Sequence, residues 1–132
     1  MIDLPSETPK ANILIVEDDK INAFLFRQYL SDYYNVYCAD SRAELANILR
    51  KISIDLIIMD INLDNCEGNG IDLLVNLRKD YPTQRFKAIA LTAFTEEEYE
   101  QACKEAHFNA FCRKPLSKET LLSLVEYTLK QP

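Results

Sequence analysis

Glycine is almost missing from this chain. There are two in 132 residues, with five prolines, so no segment reads as a low-complexity linker and ordinary globular packing is expected. Histidine occurs once, and the four cysteines (Cys38, Cys66, Cys103 and Cys112) form no C-x-x-C pair. Structural zinc wants paired ligands, so four reduced thiols are expected, with Cys66 in a polar stretch the most exposed. Cations are outnumbered, and a net charge of −6 speaks against nucleic acid, whose phosphates call for clustered Lys and Arg. No apolar run approaches the roughly 20 residues that span a bilayer. The start, MIDLPSETPK, lacks the basic n-region and apolar core of a secretory signal. These absences leave one domain in the cytoplasm, with residues 1–10 a flexible tail and 11–132 the folded unit.

What is present alternates. Short apolar or β-rich runs fall at Asn12 to Glu17, Asn35 to Ala39, Leu56 to Asp60, Lys87 to Thr92 and Ala110 to Arg113, with helical patterns between them. Leu45, Ile48, Leu49 and Ile52 sit at i, i+3, i+4, i+7, one helix face, behind a Ser41/Glu44 capping box. Ile71, Leu74 and Val75 mark a helix opened by the turn residues Gly68-Asn69-Gly70, and Leu122, Val125 and Leu129 mark the last, with Ser117 as N-cap. The fourth helix, near Thr95 to Ala106, has a Thr95/Glu98 box and a small-residue inner face of Tyr99, Ala102, Cys103 and Ala106. It should be the most lightly held. Five β–α units in series predict an α/β fold: a doubly wound, five-stranded parallel sheet of order 2-1-3-4-5, flavodoxin-like, with helices on both faces.

Two strands break an ordinary rule. Ile13-Leu14-Ile15-Val16 runs directly into Glu17, Asp18 and Asp19, and Leu56-Ile57-Ile58-Met59 runs directly into Asp60. An unpaired carboxylate costs several kcal/mol to bury. In a sheet of this order, however, the first and third strands flank the switch point where ligands bind. Glu17, Asp18 and Asp60 would meet there and repel unless a cation joined them. Carboxylate oxygens without His or paired Cys suit Mg²⁺ before Zn²⁺. Asp19 reads as an N-cap. Thr92 and Lys114 end the fourth and fifth strands on the same rim, a hydroxyl and an ammonium suited to a phosphoryl group. Asp60 thus need not be buried and unpaired; it is expected at a rim, beside a metal and a lysine.

Together ILIVEDD, LIIMDINL, AIALTAF and FCRKPLS resemble the receiver domain of two-component response regulators, from about Asn12 to Leu129. The resemblance implies that Asp60 accepts a phosphoryl group from a phosphohistidine on a sensor histidine kinase or histidine phosphotransfer protein. It implies Mg²⁺ (with Mn²⁺ as a substitute) held by Asp18 and Asp60, by Glu17 through water, and by the backbone carbonyl of Asn62. Thr92 and Lys114 would bind the acyl phosphate, Phe111 would be the switch aromatic, and Lys114-Pro115 would be cis. Phe94 and Asn62 would flank the attacking water, and a positive-φ cap would fall at His107. The DNCEGNG loop is longer than the common receiver form and lacks its usual proline, which bears on partner preference.

The expectation is a stand-alone phosphorylation-dependent switch, not a turnover enzyme, that dephosphorylates itself slowly. It would present the fourth helix, fifth strand and fifth helix to a downstream protein, and homodimerisation on phosphorylation belongs to the same family expectation. A haloacid-dehalogenase-like phosphatase would want an aspartate where Asn62 stands, and an FMN binder would want a Gly-rich loop in place of EDDKIN.

Overall fold

The computed structural model describes residues 9–61, 70–92 and 97–132. Among them, ten elements alternate: β1 (Asn12–Val16), α1 (Lys20–Leu30), β2 (Asn35–Ala39), α2 (Arg42–Lys51), β3 (Leu56–Asp60), α3 (Gly70–Asp80), β4 (Lys87–Thr92), α4 (Glu97–Glu105), β5 (Ala110–Arg113) and α5 (Lys118–Lys130). All four strand pairings are parallel, in the order β2-β1-β3-β4-β5. The expected fold class is the one observed. β1 stops one residue short of expectation, at Val16, although the Glu17 N–H still donates to the Ala39 carbonyl at 3.1 Å.

Strand alternation divides the apolar residues into two cores. Ile13 and Ile15, Leu56 and Ile58, and Ile89 and Leu91 pack with Phe26, Leu30, Leu121 and Val125 of α1 and α5. Leu14 and Val16, Ile57 and Met59, and Ala88 and Ala90 pack with residues of α2, α3 and α4 on the other face. Each large side chain so buried contributes about 1.5–3 kcal/mol, so the central strands are the most firmly held part of the chain. The rows also aim the acids. Glu17 extends the Ile13, Ile15 row and Asp60 extends the Leu56, Ile58 row, so both leave the sheet on the α1–α5 side.

The helix ends follow local chemistry. Asp19 caps α1, its side chain accepting from the Ile21 and Asn22 N–H groups, and Ser117 caps α5 by accepting from Thr120. Ser41 caps α2 as expected, but the box does not close on itself: Glu44 accepts from the Asp40 N–H, one residue before the cap. The α4 end is a Schellman motif, with Phe108 N–H donating to Cys103 O and His107 N–H to Lys104 O. His107 occupies the left-handed position at φ 67°, and Lys114-Pro115 is cis.

Two helix faces are rotated from the sequence reading. In α3 the buried residues are Leu73, Leu74 and Leu77, while Val75 is exposed. In α5 they are Leu121, Val125 and Thr128, with Leu122 and Leu129 half-buried. Cys103 and Ala106 of α4 are buried as expected. Asn62, Cys66, Gly68, Asn69, Phe94 and Thr95 lie outside the described residues, as do the side chains of Glu98 and Tyr99.

Gly70 serves close approach. A Cβ there would lie 2.6 Å from the Asp60 carbonyl oxygen and 2.7 Å from Ile61 Cα, both backbone atoms that cannot step aside cheaply. Its N–H donates to Ile61 O at 3.2 Å, so α3 starts directly against the end of β3. Gly70→Ala is therefore expected to cost about 1–3 kcal/mol through overpacking, read as a lower urea midpoint at unchanged m-value.

Candidate functional site

Two strand ends and the segment after a third converge on one ammonium group. Lys114 Nζ donates to Glu17 Oε1 and to Asp60 Oδ2, each at 2.9 Å. Glu17 and Asp60 are both only 4% exposed. Asp60 is beside a lysine as expected but more deeply buried than a rim position implies, and the lysine makes that burial tolerable. Glu17 Oε2 also accepts from the Asp19 N–H at 3.3 Å, which ties the acid to the start of α1.

Asp18 completes the cluster. One carboxylate oxygen from each of Glu17, Asp18 and Asp60 lies within 4.8 Å of the others. Among the described residues, these three carboxylates gather around one ammonium, that of Lys114, which bonds two of them. A divalent cation would supply balancing charge, and an all-oxygen donor set with no His or Cys fits a hard ion of the Mg²⁺ kind. The remaining expected ligand, the Asn62 carbonyl, lies outside the described residues.

The Glu17 carboxyl is pushed up to about 7, chiefly by burial and then by its proximity to Asp60, with Lys114 pulling the other way. Burial lowers the Lys114 ammonium, but the hydrogen bonds and charges of Glu17 and Asp60 outweigh it, so Lys114 titrates above its ordinary value. Thr92 is fully buried at the end of β4, and its carbonyl accepts from the Lys114 N–H at 2.8 Å. Phe111 pairs with Ala90 in the β4–β5 register and is half-buried against the α2–α4 core. Acids, hydroxyl, lysine and aromatic therefore share one end of the sheet.

Two features escaped the sequence reading. The Lys114–Glu17 bond is one; nothing in a sequence says which carboxylate a distant lysine reaches. The other is an apolar ridge on α1, where Ile21, Phe24 and Leu25 are 73%, 59% and 39% exposed. Phe24 borders a cavity of about 260 Å³ beside Glu17, and Leu25 borders another of about 510 Å³ with Lys114, Pro115 and Leu116. The signal was available in KINAFLFRQYL, whose apolar residues are too many for the single buried stripe of a surface helix.

Residues 13–126 match the family model of the response regulator receiver domain. The polar-differentiation response regulator DivK of Brucella ovis is 28% identical over 116 residues, 87% of this chain and 93% of the relative. Among solved structures, a CheY-like receiver domain protein from Methanospirillum hungatei superposes with a TM-score of 0.80 at 26% identity, covering 91% of this chain and 94% of that one. Chemotaxis protein CheY4 of Vibrio cholerae gives 0.81 at 27% identity, covering 90% and 98%.

The titration of Glu17 sets an expectation for metal binding. Below about pH 7 the metal-free site holds a proton on Glu17, and a cation must displace it. Mg²⁺ affinity should therefore climb from pH 5.5 to 7, with proton uptake by the buffer, and level off above 7. Isothermal titration in buffers of different ionisation enthalpy measures both; an affinity flat across this range contradicts the assignment.

Proposed function

The chain belongs to the response regulator receiver family, and we propose that it works as a Mg²⁺-dependent phosphorylation switch with Asp60 as acceptor. A receiver domain of a two-component system implies phosphoacceptor signalling. The observation that carries the finer reading is the sharing of one buried lysine between Glu17 and Asp60, with Asp18 beside them. The receiver unit in this reading is residues 11–132.

The transfer balances simply. A carboxylate oxygen of Asp60 attacks phosphorus, the N–P bond of a phosphohistidine breaks, and the imidazole keeps the electron pair and takes a proton. Asp18 and Asp60, Glu17 through water and the Asn62 carbonyl would hold a Mg²⁺ ion, which would supply neutralising charge to the phosphoryl oxygens. Lys114, released from Asp60, follows the new negative charge, and Thr92 supplies a hydroxyl to another oxygen. Water later cleaves the O–P bond and returns inorganic phosphate, slowly enough for the protein to serve as a switch rather than a turnover enzyme. The Thr92 and Phe111 rearrangement then biases the α4–β5–α5 surface for a downstream protein or a second copy.

The donor is a sensor histidine kinase or a histidine phosphotransfer protein. The α1 ridge of Ile21, Phe24 and Leu25 lies beside the acids and suits an apolar helical surface on that partner. Among the described residues no helix is long and apolar enough to cross a membrane, and cytoplasmic placement accords with the donor proposed.

Intact mass after incubation with Mg²⁺ and acetyl phosphate tests the acceptor: one phosphoryl adduct on wild type, none on Asp60→Asn. The same assay with a phosphorylated histidine phosphotransfer protein tests the ridge. Phe24→Asp is expected to slow transfer from the protein donor by at least about tenfold, the effect of losing about 1.4 kcal/mol, while leaving acetyl phosphate labelling unchanged. Equal loss with both donors contradicts a docking role.

A further inference from the structure

Arg78, near the end of α3, ties together three parts of the chain that are not neighbours in sequence. Its Nη1 donates to the Phe86 carbonyl at 2.7 Å, and its Nη2 donates to the His107 carbonyl at 3.1 Å. The guanidinium carbon lies 4.7 Å from the centroid of the Phe86 ring. One planar group thus holds the connection entering β4 and the residue that closes α4. A guanidinium suits this because its rigid fork reaches two carbonyls while its face stacks on an aromatic ring.

The α4 end it grips is already well determined. His107 adopts φ 67° in a Schellman cap whose two bonds run back to Cys103 and Lys104. Cys103, Ala106 and Phe108 are buried in the α2–α4 core, with Phe108 and Cys103 as the apolar pair that accompanies such caps. The Asn109 N–H donates to Ala88 O, and the Ala88 N–H donates to Asn109 Oδ1, so the chain leaving the cap is stitched to β4. Gln101 is exposed and Ala102 half-buried, and the bonds that tie α4 to its neighbours among the described residues lie at its C-terminal end.

We propose that Arg78 is the fixed pivot of α4: its two carbonyl bonds and its stacking on Phe86 hold the C-terminal end of the helix. A change beginning at Asp60 and Thr92 then moves the end nearer Glu97. The inference rests on the reading of α4 as part of the switching surface and adds the residue that determines how it moves. Arg78 is a positioning residue. It acts through His107 and Phe86, and its two carbonyl bonds and ring contact lie away from Glu17, Asp60 and Lys114. Small shifts are amplified because packed elements have discrete arrangements and do not deform continuously, and the guanidinium holds the C-terminal end of this one.

Residue-resolved amide exchange on the full chain tests this, at rest and with Mg²⁺ and acetyl phosphate, alongside intact mass. In wild type, the His107 and Phe108 amides are expected to keep their protection on phosphorylation, while residues 98–101 change by roughly tenfold or more. Arg78→Met should loosen the two cap amides about tenfold at rest and spread the phosphorylation-induced change along the whole helix, with the extent of Asp60 labelling unaltered. Arg78→Lys, which keeps the charge but not the fork, should resemble Arg78→Met at the cap. Cap amides that loosen in wild type as much as residues 98–101 overturn the pivot, and that comparison needs no variant. So does a folded Arg78→Met whose cap amides match wild type. Absence of any phosphoryl adduct on folded protein overturns the switch reading and the pivot with it.

Discussion

A single ammonium group divided between two buried carboxylates governs this structure. Lys114 meets Glu17 and Asp60 at equal distance, and Asp18 stands close enough to share a cation with both. Among the described residues one ammonium serves a cluster of three carboxylates, and burial first, then the neighbouring Asp60, pushes the Glu17 carboxyl up to about 7. Proteins keep such arrangements where activity requires them, and stability supplied elsewhere tolerates the cost. Here the compensation is the sheet beneath, whose central strands bury nearly every side chain.

The sheet also explains why these groups meet. β1 and β3 are hydrogen-bonded neighbours, with Val16 opposite Met59, so the residues that follow emerge side by side. Parallel strands put all their carboxyl ends at one edge, and the β4 and β5 ends bring Thr92 and Lys114 to the same place. Helices then fix the surroundings at close quarters: Asp19 starts α1 beside Glu17, and Gly70 lets α3 begin against the Asp60 carbonyl. On the opposite face, Thr92 follows Ala88 and Ala90, and Phe111 packs beside them, so the acid site and the α4 side of the molecule are joined through one strand.

Much of this was legible in the sequence, because it depends on patterns that local residues control. The five strands could be read from apolar runs bounded by polar residues, and Asp60 could be singled out because a carboxylate directly after Leu56-Ile57-Ile58-Met59 contradicts its context. Asp19 and Ser117 as caps, and the positive φ of His107, followed from local rules and from the family resemblance. What escaped was set by tertiary packing. α3 carries apolar residues at 71, 73, 74, 75 and 77, so several faces compete, and only contact with the sheet selects Leu73, Leu74 and Leu77 over Val75. Glu44 reaches Asp40 rather than Ser41 because the chain leaving β2 brings that N–H within range. Asp60 proved buried because Lys114 bridges it to Glu17, a relation between residues far apart in the chain. Arg78 gave no signal at all; its partners are backbone carbonyls, which every sequence has.

An acid cluster built for a charge it does not itself contain should be less stable empty than with one carboxylate removed. The most direct measurement is the melting temperature of Asp60→Asn against wild type, metal-free and at pH 8, followed by Mg²⁺ titration of both. Removing one carboxylate leaves Lys114 paired with Glu17 alone and relieves the repulsion, so the variant should melt higher, by about 4 °C for each kcal/mol gained. Mg²⁺ should raise wild type toward it and leave the variant nearly unmoved. If instead Asp60→Asn loses the roughly 3–5 kcal/mol typical of breaking a buried ion pair, the cluster is a stabilising network and the account is wrong.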